Sequence, residues 1–200
     1  MLAACFPKWL RIWSESTGAD LIIVSETWLS KKILDKDVGI DGFNIYRSDR
    51  PRKGGGVAIY VKQNLAEQVI FSKSAVKQFD ILALKIDLSG GQFLTVVGCY
   101  RPPSATNDTL SSLMQLLSQL QFKEIILVGD FNWDWLSPVS DDFKAHCMSL
   151  NFTQVIESPT RLNTRCLEKS SLIDLLITNQ PHKYTATGVF ANDVNEVIIV

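Results

Sequence analysis

Glu124-Ile125-Ile126-Leu127-Val128-Gly129-Asp130-Phe131-Asn132 is the stretch from which the rest of this chain can be read. Residues 124–128 read as a strand that stops in a polar turn. In an extended segment Asp130 and Asn132, two positions apart, project to one side and Phe131 to the other. Gly129 leaves room for a close approach of backbone or ligand. A carboxylate that only accepts hydrogen bonds, beside an amide, can orient a phosphate oxygen or a water. By itself the stretch is equally a capping turn after a strand.

Two other carboxylates stand in comparable places. Leu21-Ile22-Ile23-Val24 is a continuous apolar run of the kind covered on both faces of a sheet, and Ser25, Glu26 and Thr27 follow it. A carboxylate at the edge of a buried strand is exposed, paired or bound to a cation. Asp174 lies inside Ser171-Leu172-Ile173-Asp174-Leu175-Leu176-Ile177, where it needs a hydrogen-bond partner. A structural Asp bonded to backbone amides fits that position as well.

Further strands are expected at 43–47 and at 57–62, where Val57, Ile59 and Val61 alternate with Ala58, Tyr60 and Lys62. Residues 79–88 and 92–100 read as a hairpin turning at Ser89-Gly90-Gly91, and Arg101-Pro102-Pro103 stops its second strand. Strands are also expected near 152–157, 171–177, 184–190 and 195–200. Phe6, Trp9, Leu10 and Trp13 have helical spacing, which predicts a helix over 4–17. Asn107, Asp108 and Thr109 can cap a helix that carries Leu110, Leu113, Leu116, Leu117 and Leu120 on one face. A third helix is expected at about 140–150. Strands outnumber helices, and hairpins mix with strand–helix crossovers. The pattern predicts a single domain over 1–200, α+β or mixed α/β, built as a two-layer sheet sandwich flanked by helices.

Composition narrows the function classes. Of 200 residues, 46% are hydrophobic and 20% charged, enough to bury a core and too ordered a balance for a disordered chain. No apolar run approaches the roughly 18 residues of a membrane helix. The apolar start, Met1 to Phe6, lacks a leading positive charge and is not a secretory signal, so a nuclear or cytoplasmic, not secreted, protein is expected. Lys plus Arg is 20 against 21 for Asp plus Glu, a net charge of −1, which excludes a massively basic binder but not a local basic patch. That patch is Arg47-Ser-Asp-Arg50-Pro-Arg52-Lys53-Gly-Gly-Gly56, whose guanidinium groups and glycines suit phosphate contacts. A solvated hairpin loop is the plainer reading of it. The four cysteines form no CxxC pair and there are only two histidines, which excludes a zinc finger; free, mostly buried thiols are expected. The GxxxxGK[ST], GxSxG, HExxH and GxGxxG motifs are all absent.

Taken in order, the elements Leu21-Ile-Ile-Val-Ser-Glu-Thr-Trp-Leu29, Gly54-Gly-Gly-Val-Ala-Ile-Tyr-Val61, Tyr100-Arg-Pro-Pro103, Val128-Gly-Asp-Phe-Asn132 and Ser171-Leu-Ile-Asp-Leu-Leu-Ile-Thr178 resemble the endonuclease/exonuclease/phosphatase superfamily. More narrowly, the chain is similar to the apurinic-type endonuclease domain of non-LTR (LINE-like, jockey-like) retrotransposon polyproteins. That resemblance implies a four-layer α/β sandwich, two mixed β-sheets face to face with helices outside, and divalent-metal-dependent hydrolysis of a phosphodiester in DNA. It implies Mg²⁺ or Mn²⁺ on Glu26, with Glu196 standing where the family's C-terminal motif has an Asp. It implies Tyr100 approaching the scissile phosphate, Asp130 orienting or deprotonating water, Asn132 holding that water or a phosphate oxygen, and Asp174 buttressing a His. Arg47, Arg50, Arg52, Lys53 and Arg101 would track the DNA backbone, and a reverse transcriptase domain is expected in the parent polyprotein. No membrane and no small-molecule cofactor is implied. Two departures stand out. Val197 occupies the place of the family's catalytic His, and the family's first strand, with its Asn, is missing, so the domain reads as truncated at its N-terminus. The alternatives are a catalytically dead remnant that still binds nucleic acid or protein, and a phosphatase of phosphoinositides or sugar phosphates.

Overall fold

The computed structural model describes residues 15–51, 54–75, 77–106, 108–118, 120, 124–184, 186–189 and 197–199. The first sheet contains β1 (Leu21–Ser25), β2 (Phe43–Ser48), β3 (Val57–Lys62) and β10 (Val197–Ile199), in the order β10-β1-β3-β2. All its described pairs are antiparallel. Both edges of β1 are paired, by β3 on one side and by β10 on the other. The second sheet contains β4 (Ala66–Ala75), β5 (Phe79–Asp87), β6 (Phe93–Tyr100), β7 (Ile125–Asp130), β8 (Thr153–Gln154) and β9 (Asp174–Thr178), in the order β4-β5-β6-β7-β9-β8. Here β6 and β7 run parallel and the other pairs antiparallel.

Period-2 patterning explains how the sheets stack. Leu21, Ile23, Val57, Ile59 and Val61 face the second sheet and join its core, while Ile22, Val24, Ala58 and Tyr60 face the opposite side and pack with Ala19 and Ile40. The sheets approach closely at Gly98 in β6, where an added Cβ would lie 2.7 Å from Val57 Cγ1. Burial on both faces is why β1 and β3 read as apolar runs. The helices α2 (Thr109–Ser118) and α3 (Asp141–Ser149) cover the six-stranded sheet with Leu113, Met114, Leu117, Phe143 and Cys147. The short α1 (Asp35–Val38) takes a hydrogen bond of 2.8 Å on its Val38 carbonyl from the Tyr60 hydroxyl. Residues 4–14 of the expected first helix lie outside the described residues; 15–17 are helical.

Differences from the sequence reading have local causes. β4 was not expected, because Ala66-Glu-Gln-Val-Ile-Phe-Ser-Lys-Ser-Ala75 is an exposed edge strand with a register shift between Val69 and Phe71 and no clean alternation. The strand expected at 152–157 shrinks to Thr153–Gln154, and residues 186–189 of the one expected at 184–190 form none. β9 starts at Asp174 rather than 171, since Ser171 forms an isolated bridge with Arg161 instead.

One consequence positions the site. The crossover through α2 makes β6 and β7 parallel, so their C-terminal ends lie side by side, with Tyr100 opposite Asp130. The antiparallel neighbours begin at that same end, and Asp80 pairs with Tyr100 and Asp174 with Asp130.

Candidate active site

Gly129 lets β7 approach β6 closely just before Asp130. Its φ is +142°, and a Cβ there would lie 1.9 Å from the carbonyl oxygen of Cys99 on β6. Asp130 is 2% exposed, and both of its carboxylate oxygens accept hydrogen bonds from Asn132. The backbone N–H donates to Oδ1 at 2.8 Å and the side-chain amide to Oδ2 at 2.7 Å. Asn132 holds the left-handed conformation this needs, at φ 47°. Its amide also donates to the Arg101 carbonyl at 2.9 Å, so both amide hydrogens are engaged within the loop rather than offered to a phosphate.

Arg101, expected on the DNA backbone, is buried beneath this loop instead. Its backbone N–H donates to the Asp130 carbonyl at 2.8 Å, and its Nη1 donates to the carbonyls of Phe131 and Asn132, each at 3.3 Å. Its guanidinium stacks 4.1 Å from the centroid of the Trp133 ring, which rests on Phe143 of α3. A planar guanidinium suits this combination of stacking and forked donation.

Glu26 and Tyr100 meet across the two sheets. The Tyr100 hydroxyl donates to Glu26 Oε1. Glu26, half-buried just past β1, has φ 50° and Trp28 has φ 54°. The kinked segment is held along the glycine loop: Thr27 N–H donates to the Gly56 carbonyl at 3.3 Å and Trp28 N–H to that of Gly55 at 2.9 Å. A Cβ at Gly56 would lie 2.6 Å from Thr27 Oγ1, so the loop approaches closely only because it is glycine.

Two arginines of the basic loop turn to carboxylates of the chain itself. Arg47 donates to Asp49 through Nε at 3.1 Å and Nη2 at 2.6 Å, to Asp35 at 2.7 Å, and to the carbonyls of Ile33 and Ser30 at 2.9 and 3.1 Å. Arg50 points inward to Asp80, with Nε 3.3 Å from Oδ1 and Nη2 2.8 Å from Oδ2, the latter close enough for charge pairing though off the hydrogen-bond direction. Asp80 is fully buried and also accepts from Gly56 N–H at 3.0 Å and Ser74 Oγ at 2.5 Å. Arg50 also lies over the Tyr100 ring, 5.6 Å from its centroid. Arg47, Arg50 and Arg101 therefore brace the site from within. Arg52, Lys53 and Glu196 lie outside the described residues. Asp80 escaped the sequence reading, although the rule applied to Asp174, a carboxylate inside an apolar strand, finds it in Phe79-Asp80-Ile81-Leu82.

Three carboxylates share the rim. Burial, then the charges of Asp174 and Glu26, push the Asp130 carboxyl up to about 8, against the pull of its Asn132 hydrogen bonds. Burial also raises Asp174, with Glu26 adding to it; the Thr160 hydrogen bond and the Arg161 charge oppose it. Thr160 Oγ1 accepts from the backbone N–H groups of Ile173 and Asp174 at 3.2 and 3.1 Å, while Asp174 Oδ1 is buried and makes no hydrogen bond among the described residues. An orphaned carboxylate oxygen with Glu26 nearby is a hard donor set that suits Mg²⁺ or Mn²⁺. Among the described residues no group of three His, Cys, Asp or Glu could enclose an ion, so such a cation would keep water or phosphate oxygens in its remaining positions. Neither histidine is expected to help: exposed His146 bonds through Nδ1 to the Asp142 carbonyl on its own helix, at 2.7 Å, and His182 lies in the exposed turn Pro181–Lys183.

A family model described as endonuclease-reverse transcriptase matches residues 94–195, just over half of the chain. No curated protein matches the sequence. Among solved structures, the human Nocturnin catalytic domain with bound sulfate superposes with a TM-score of 0.65 at 12% identity, covering 98% of this chain and 84% of that one. An endonuclease/exonuclease/phosphatase family protein from Leptotrichia buccalis C-1013-b has a TM-score of 0.62 at 17% identity, covering 85% and 79%. An AP endonuclease from Archaeoglobus fulgidus has a TM-score of 0.57 at 16% identity, covering 86% and 80%. At these identities the likeness is one of fold.

Proposed function

Since the chain belongs to the endonuclease-reverse transcriptase family, within the endonuclease/exonuclease/phosphatase superfamily, we propose that it is the DNA-cleaving domain of a retrotransposon polyprotein, a metal-dependent phosphodiesterase of reduced activity. DNA is its partner in this reading, a reverse transcriptase domain accompanies it in the parent polyprotein, and it works in the nucleus or cytoplasm. The observation that carries the proposal is the meeting of Glu26, Tyr100, Asp130 and Asp174 at one rim. A carboxyl raised by burial is a better proton acceptor than an ordinary aspartate. Asp130 would accept the proton of an attacking water, and Asn132 keeps the carboxylate oriented for that transfer. Tyr100 would turn its hydroxyl between Glu26 and a phosphate oxygen. Glu26 and Asp174 Oδ1 would hold Mg²⁺ or Mn²⁺. When bound, the cation stabilises charge on the phosphate and on the leaving oxygen.

The reduced activity follows from position 197. β10 sets Val197 opposite Val24, two residues before Glu26, and valine can neither donate nor accept a proton. A missing acid–base group typically costs ~10²–10⁴-fold in rate. The test is nicking of supercoiled plasmid in Mg²⁺ or Mn²⁺. Expected is slow, metal-dependent nicking, at least ~10²-fold below that of a relative with the His and lost in both Asp130→Asn and Glu26→Gln. Nicking unaffected by those substitutions, or none from the chain at any metal concentration, refutes the catalytic reading.

A further inference from the structure

We propose that Arg161 is the substrate-phosphate contact of this site, gripping the DNA backbone beside the scissile phosphate; the inference rests on the phosphodiesterase reading above. A rim that carries Glu26 and Asp174 offers a polyanion no attraction of its own, and a DNA-binding site needs cations that are free to exchange counterions for phosphates. The arginines that stand out in the sequence do not meet that need. Arg47 is held by Asp35 and Asp49, Arg50 by Asp80, and Arg101 by two carbonyls and the Trp133 ring. Arg161 differs on each count. It is exposed, and among the described residues its guanidinium makes no hydrogen bond or ion pair. It directly follows Thr160, whose hydroxyl oxygen receives the backbone N–H of Asp174 at 3.1 Å. Its charge reaches Asp174.

The backbone around it is fastened as a phosphate grip requires. Arg161 pairs with Ser171 as an antiparallel bridge, its N–H donating to the Ser171 carbonyl at 2.9 Å and its carbonyl accepting the Ser171 N–H at 2.9 Å. The segment after Ser171 is tied in turn to the Asp130 loop: Phe131 N–H donates to the Ile173 carbonyl at 2.9 Å, and Leu172 N–H to Asp134 Oδ1 at 3.0 Å. The side chain thus projects from a braced position one residue from the carboxylate site, and its fork of donors matches two phosphate oxygens.

The experiment measures binding of a labelled DNA duplex by fluorescence anisotropy across a salt series, in Mg²⁺, on an Asp130→Asn background that prevents cleavage. One lost phosphate contact makes the log affinity–log salt plot shallower by about one unit, whatever the DNA sequence. Arg161→Ala is expected to show that loss, with an unchanged thermal transition because the side chain is exposed, and Arg161→Lys to retain most of the slope. Lys62, paired with Asp20 at the opposite end of β1 from Glu26, is the control, and Lys62→Ala is expected to leave the slope unaltered. A slope unchanged in Arg161→Ala while the parent binds DNA overturns this inference alone. An equal drop in Lys62→Ala overturns it too, since the effect would then be general surface charge. A parent protein that binds no DNA at any salt overturns both this inference and the functional reading.

Discussion

Gly129→Ala is a sharp test of how the site is built. The substitution adds one carbon to a residue at φ +142°, where that carbon would lie 1.9 Å from the Cys99 carbonyl oxygen, 2.9 Å from its carbonyl carbon and 3.2 Å from its nitrogen. All three atoms are backbone of the parallel neighbour, so no side chain can swing away to make room. Strain at such a φ costs about 1–3 kcal/mol. Overpacking in a closed interior costs about as much again, so the loss is about 2–6 kcal/mol. That is a large part of the 5–15 kcal/mol that typically holds a domain together. Urea unfolding is the assay: the midpoint should fall with little change in slope, and the thermal midpoint should fall by about 4–24 °C for a chain of this size. Gly188→Ala is the matched control, since an added Cβ there meets nothing within 4 Å, and it should stay within about 0.5 kcal/mol of the parent. Because Tyr100 and Asp130 are partners in the β6–β7 ladder, Gly129→Ala should also depress nicking. A loss under about 1 kcal/mol would show that β6 and β7 can part at no great cost, and the account of Gly129 would be wrong.

Asp80→Asn leaves the inward-turned Arg50 without its counter-charge and should destabilise the fold by about 3–5 kcal/mol, read by urea unfolding; a loss below about 1 kcal/mol would mean the pair is not electrostatically coupled. For Asp130, the native carboxyl holds its proton up to about 8 while the unfolded one releases it near 3.8, so its contribution to stability is full below pH 4 and is lost as pH rises through 8. In metal-free buffer Asp130→Asn should flatten that decline and be more stable than the parent at pH 8, with a ceiling of about 6 kcal/mol from the full shift; parallel stability–pH curves for the two proteins would count against the raised carboxyl.

Strand ends were the most readable feature of this chain, and the site is made of strand ends. β1, β3, β5, β6 and β7 are buried on both faces or nearly so, and their apolar runs stop where Ser25, Tyr100 and Asp130 begin the polar turns. β4 was unreadable because an exposed edge strand carries no hydrophobic alternation. The basic loop misled for a related reason. Its charges are plain in the sequence, but only one of the carboxylates that engage them is a neighbour: Asp49 lies two residues from Arg47, whereas Asp35 lies 12 residues from Arg47 and Asp80 lies 30 from Arg50.

The sequence by itself determined where each buried segment stops, which carboxylates stand at those stops, and that Gly129 leaves room for a close approach. These depend on period, burial and φ, which act over a few residues. Only the tertiary structure decided that Glu26, Tyr100, Asp130 and Asp174 share one rim, that Arg47, Arg50 and Arg101 serve the interior, and that Arg161 remains available. Those outcomes follow from strand order and register, with β6 parallel to β7 and β9 antiparallel beside it. A charge is neutralised or left available by what lies within a few ångströms of it, and sheet pairing supplies those neighbours from distant parts of the chain.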